Sequence, residues 1–138
     1  MGSNAMILLD THVLLWLMAG DNKLGRLSRK QIDEAYHQGK LSVSAISFWE
    51  ISMLQNKGRI ELSDNIQSWR KQLLRQGIVE IPIDGKIGIN STNIENFHSD
   101  PADKLIVSTA ILNDAVLITA DGKILAWQGE LKRIDAST

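Results

Sequence analysis

The chain has 138 residues, 43% of them hydrophobic, which suits one domain with a real core and argues against global disorder. It has no cysteine, so disulfides and thiolate metal ligands are excluded, in keeping with a cytoplasmic setting, and no apolar run approaches the ~20 residues of a membrane span. The formal charge of −1 counts slightly against a nucleic-acid partner, unless acids are gathered around divalent cations and overstate the negative charge a substrate meets.

Met1 to Ala5 (MGSNA) reads as an expression scar, with residues 6–138 as the single domain. Met6 to Leu9 is an apolar run ending in Asp10 and reads as a buried strand. Thr11 to Ala19 looks helical and closes at Gly20. After a polar loop, Ser28 is the expected cap of a helix through about Gln38, with Gly39 past its end. Leu41 to Ser44 is a short strand. Ser47 is expected to open a helix reaching about Lys57, and Ser63 to cap another that runs to about Gln76. Ile78 to Ile83 is a strand whose Pro82 suits a sheet edge. Asp84 to Asn93 suggests a short helix, and Asn96 to Asp100 a loop. Pro101 fits the first position of a helix running to about Asn113. Ala115 to Thr119 is a strand, and Leu131 to Ile134 a short last one.

Strands alternate with helices and no tight hairpin signal intervenes. The pattern predicts an α/β fold, a parallel sheet with helices on both faces, and a site at the carboxyl ends of the strands.

Most of the sixteen acids lie in polar stretches and read as solvated surface. Four are locally out of place. Asp10 ends the first strand, where it also suits a helix cap. Glu50 completes a capping box with Ser47, yet at helical spacing it shares a face with Ile46, Met53 and Leu54. One carboxylate cannot fully serve both roles, and a buried unpaired charge is very costly. Asp103 shares a face with Ile106, Val107 and Ala110, although acids also favour a first helical turn. Asp121 follows an apolar strand as Asp10 does, and with Gly122 it also reads as a turn. Asp100, before Pro101, reads as the cap, with at most an outer role at a site. If folding gathers these acids, two carboxylates ~4 Å apart repel by about 4 kcal/mol at an effective dielectric of ~20. Such a cluster must hold protons or a cation, and all-oxygen ligands favour Mg²⁺ or Mn²⁺ over Zn²⁺.

His12, His37 and His98 lack metal spacing, and no phosphate-binding or nucleophile-elbow motif is present. Trp16, Trp49, Trp69 and Trp127 offer base-stacking surfaces, though packing is the commoner use of such residues.

Four segments carry a resemblance: LLDTHVLLWL (Leu8 to Leu17), SAISFWEISML (Ser44 to Leu54), FHSDPADKLIVSTA (Phe97 to Ala110) and LITADGKI (Leu117 to Ile124). In order and spacing the chain resembles PIN-domain proteins, specifically the toxins of VapBC-type toxin–antitoxin pairs. The resemblance implies a three-layer α/β/α sandwich. It also implies an acidic pocket of Asp10, Glu50, Asp103 and Asp121 that binds Mg²⁺ or Mn²⁺ and hydrolyses RNA. Thr11 and Thr119 take the places of supporting hydroxyls. His12 stands where many relatives carry Asn or Ser. A homodimer and an antitoxin laid across the pocket are implied as well. Two rivals remain open at this point. A phospho-receiver module would want an adjacent acidic pair after the first strand, which Leu9-Asp10 does not supply. A PIN-fold binding protein without nuclease activity would leave the full acid set unexplained.

Overall fold

The computed structural model describes residues 5–95, 97 and 100–138. Asn96, His98, Ser99 and the first four residues lie outside them, so most of the loop read at Asn96 to Asp100, and His98 with it, lies outside the described residues.

Five parallel strands form one sheet in the order β3-β2-β1-β4-β5. They are β1 (Ile7–Leu9), β2 (Leu41–Ser44), β3 (Val79–Ile81), β4 (Val116–Thr119) and β5 (Arg133–Asp135). The helices between them are α1 (Thr11–Ala19), α2 (Arg26–His37), α3 (Ala45–Asn56), α4 (Ile66–Arg75), α5 (Gly85–Thr92), α6 (Pro101–Leu112) and α7 (Gly122–Ala126).

The central strand is wholly apolar because both of its faces are covered. Side chains alternate across a strand, so Ile7 and Leu9 join a core built with α1 to α4, while Leu8 joins a second core built with α5 to α7. This is the three-layer α/β/α sandwich expected from the sequence. Pro82 lies just beyond β3 at the sheet edge, where its missing N–H breaks no interior ladder.

The chain builds outward from β1 through β2 to β3, then returns to the other side of β1 with β4 and β5. The direction reverses between β1 and β4, so the crevice beyond their carboxyl ends is the place such a sheet offers a ligand. Asp10 follows β1, and Asp121 lies two residues beyond β4. Helix α3 touches both α1 and α6, which sets Glu50 between the starts of those two helices.

Three helix starts differ from expectation. Helix α2 begins earlier, with Gly25 rather than Ser28 as its cap. A Cβ at Gly25 would lie 2.3 Å from the Thr138 carbonyl carbon, so only glycine admits the C-terminal segment there. Ser28 is instead buried and donates to the Asp135 carbonyl. Helix α4 is capped by Asn65, not Ser63. Helix α3 is capped by Ser44, three residues before Ser47, which dissolves the capping box assigned to Glu50. Where the Asp121-Gly122 pair suggests only a turn, the short helix α7 follows.

Candidate active site

Three helix N-termini present their caps at one crevice. Asp10 caps α1, accepting from the Thr11 N–H at 2.8 Å, and Asp121 caps α7. Asp100 caps α6, accepting from the Asp103 N–H at 3.0 Å. Asp10 therefore caps α1 and still faces the pocket with spare lone pairs, because a cap uses only part of a carboxylate's acceptor capacity.

A pocket of about 400 Å³ is lined by Asp10, Glu50, Asp100, Asp103 and Asp121, together with Thr11, His12, Trp16 and Ala120. All four acids singled out from sequence lie here. Within the pocket, Glu50, Asp100 and Asp103 are the tightest group, each offering an oxygen within 4.8 Å of the others. Asp100 thus caps α6 and lies beside two of the pocket's other acids. Sequence hinted at this only by its place three residues before Asp103, one helical turn away. Among the described residues, no Lys or Arg lines the pocket.

Asp10 is almost fully buried. Its Oδ1 accepts from Thr11, and its Oδ2 accepts from the Thr119 hydroxyl at 2.6 Å. Burial pushes its pKa up; the Thr119 and Thr11 hydrogen bonds pull the other way, His12 helps them, and nearby Asp121 opposes them. Glu50 is half-buried, and its Oε1 accepts from the Thr11 hydroxyl at 2.5 Å. The Ser47 hydroxyl lies 2.8 Å from that of Thr11. With its one proton given to Glu50, Thr11 must accept from Ser47, so a relay of two hydroxyls holds the glutamate. Desolvation lifts the Glu50 pKa from 4.5 to about 7; the Thr11 hydrogen bond opposes this, and Asp103, Asp10 and Asp100 add to it.

The face expected around Glu50 is shifted. Ile46, Met53 and Leu54 are half-buried, whereas Ser47, Phe48 and Ile51 form the buried stripe of α3. Glu50 sits on the flank of the helix, wet enough to ionise and close enough to α1 and α6 to join their acids.

The donor set suits a hard cation. Several carboxylate oxygens converge, nitrogen is limited to the exposed His12, and burial, with the neighbouring acids adding to it, favours a proton on Glu50 that a cation could replace.

A parallel sheet with an acidic crevice at its switch point defines the class, and the family model of the PIN domain matches residues 7–127. The chain belongs to the PIN-domain family. It is similar to ribonuclease VapC22 of Mycobacterium tuberculosis, 32% identical over 119 residues that cover 86% of this chain and 88% of the relative. VapBC-1 from nontypeable Haemophilus influenzae shares the fold with a TM-score of 0.67 and 23% identity, covering 96% of this chain and 99% of that one. VapBC2 from Rickettsia felis, bound to a DNA fragment from its promoter, gives a TM-score of 0.68 at 16% identity over 94% of this chain and 97% of that one. The receiver-module reading falls with this family membership.

Proposed function

We propose that this chain is a metal-dependent ribonuclease toxin that hydrolyses RNA phosphodiester bonds and is silenced by a cognate antitoxin. The observation that carries this reading is the convergence of Glu50, Asp100 and Asp103 within 4.8 Å, beside the buried Asp10. The similarity to a ribonuclease and to members of VapBC pairs supports it. Residues 6–138 act as one domain in the cytoplasm. Among the described residues, no helix is long and apolar enough to cross a membrane.

Asp10, Glu50, Asp103 and Asp121 are assigned as the catalytic and metal-holding set, with Asp100 beside them and Thr11 and Thr119 supporting. The ion is Mg²⁺ or Mn²⁺, as oxygen ligands favour. When bound, it supplies positive charge for the phosphate oxygens and acidifies water at the site. The protein does the rest. Thr119 and the Thr11 N–H fix the Asp10 carboxylate before substrate arrives. Thr11 occupies Glu50 Oε1, leaving Oε2 to take the proton of the attacking water. That water attacks phosphorus, the bond to the 3′-oxygen breaks and the leaving oxygen takes a proton from solvent water, so the products carry 3′-hydroxyl and 5′-phosphate ends.

Asp10→Asn is expected to abolish magnesium-dependent cleavage of RNA while leaving the circular dichroism spectrum unchanged. Undiminished cleavage by purified Asp10→Asn protein overturns the assigned centre. Glu50→Gln lowers the rate by about 10²–10⁴-fold, the range for loss of a general base. The protein is expected to be a homodimer, and light scattering that finds a monomer throughout the micromolar range removes that part of the reading. Co-expression with the cognate antitoxin should relieve growth arrest.

A further inference from the structure

The pocket carries five carboxylates, and no Lys or Arg lines it among the described residues. Even with cations bound, a polyanionic strand needs other contacts to stay there. Two side chains can provide them, one in the pocket lining and one lying over it. Trp16 lines the pocket half-buried and packs partly against the core shared by α1 to α4. Lys23, exposed on the loop after α1, holds its ammonium 5.8 Å from the centre of the Trp16 ring. That is within cation–π range.

The other tryptophans are placed differently. Trp69 is buried in the core. Trp127 packs against Phe97, and its indole N–H donates to the Glu95 carbonyl. Trp49 is exposed but does not line the acidic pocket. Trp16 alone puts a tryptophan surface beside the acids among the described residues.

We propose that Trp16 and Lys23 form a nucleotide platform at the edge of the acidic pocket. The indole stacks an unpaired base next to the scissile phosphate, and Lys23 meets a neighbouring phosphate. In the free protein the ammonium covers the ring. An arriving base displaces it, and the long exposed side chain swings to the phosphate, so its charge stays partnered throughout. The pair therefore selects single-stranded over paired RNA, because only an unpaired base can leave its own stack for the indole. This rests on the nuclease reading for its ligand.

The test is fluorescence anisotropy with a short labelled single-stranded RNA, in the Asp10→Asn background with magnesium, so that binding is read without cleavage. Trp16→Leu should weaken binding about 5- to 150-fold, equivalent to about 1–3 kcal/mol per stacked base. Trp16→Phe should restore most of that affinity. Lys23→Gln should lower the slope of log affinity against log salt by about 0.7, the loss of one phosphate contact on a single strand. Lys23 is exposed, so this arm stands even if Trp16→Leu fails to fold. Unchanged affinity in a folded Trp16→Leu protein, or an unchanged salt slope in Lys23→Gln, overturns the platform and leaves Trp16 as a packing residue or a contact for a protein partner. A parent protein that cuts no RNA, while Trp16-dependent binding persists, rejects the nuclease reading and keeps the platform.

Discussion

Asp10 caps α1 and faces the acidic pocket with one carboxylate. Each of its oxygens already accepts a hydrogen bond, from the Thr11 N–H and from the Thr119 hydroxyl, and each keeps a second lone pair for the pocket. Thr119 is the more telling partner, since its hydroxyl also accepts from the Asp121 N–H at 3.0 Å and so ties the ends of β1 and β4 together. Removing it takes away the strongest influence that holds the Asp10 pKa down. Protons then compete better with a cation for the same oxygens. Thr119→Val should weaken magnesium affinity by about 10–100-fold, as loss of a ligand's hydrogen-bond partner usually does, and shift the pH of half-maximal metal binding upward. Calorimetric titration at several pH values measures both. An unchanged affinity would show that Asp10 needs no orienting hydroxyl.

Short helices carry the site, and they explain which parts of it were legible. The strands, the parallel sheet and the edge position of β3 follow from apolar runs and from Pro82. Asp10, Asp103 and Asp121 stood out because an acid at a strand end or on an apolar helix face is unexpected. Glu50 was legible for a partly wrong reason: its stripe lies one step around α3 from the buried one, and its capping box dissolves because the helix opens at Ala45 instead of Ser47. The nearness of Asp100 to Glu50 and Asp103 stayed hidden because a cap before proline already explained it. Helix α7 stayed hidden because five residues give too little periodicity to read. Its cap offers a separation of roles. Asp121 Oδ1 accepts from the Lys123 N–H at 2.8 Å and from the Ile124 N–H at 3.3 Å. Asparagine caps as well as aspartate, whereas alanine does not. Asp121→Ala should lose about 0.5–2 kcal/mol of stability in urea unfolding, and Asp121→Asn almost none. Equal loss of cleavage in both variants then assigns the effect to charge; full activity in Asp121→Asn would reduce Asp121 to a cap.

At the scale of the whole molecule, the gathered acids make folding depend on pH in an uncommon direction. The Glu50 pKa rises from 4.5 to about 7 on folding. Between those values the folded chain keeps a proton that the unfolded chain has released. Stability therefore falls as pH rises, since the slope follows protons bound unfolded minus protons bound folded. The contribution is complete below pH 4.5 and is lost as pH passes 7. Asp10, also raised by burial, acts in the same direction. Asp135 is lowered by its hydrogen bonds to Ser137 and acts oppositely, but only below its ordinary 3.8, outside this window. A divalent ion that binds only the folded site adds about 2.7 kcal/mol at a hundred times its dissociation constant, and it binds best where the carboxylates are ionised. Melting curves in EDTA should thus show Tm declining from pH 4.5 to 7, and magnesium should flatten that decline by raising Tm most at the upper end. Glu50→Gln should flatten it without any metal. A Tm in EDTA that holds level across this interval, or that climbs, would mean that Glu50 is neither buried nor crowded by the other acids in the folded chain, and the case for a metal centre would go with it.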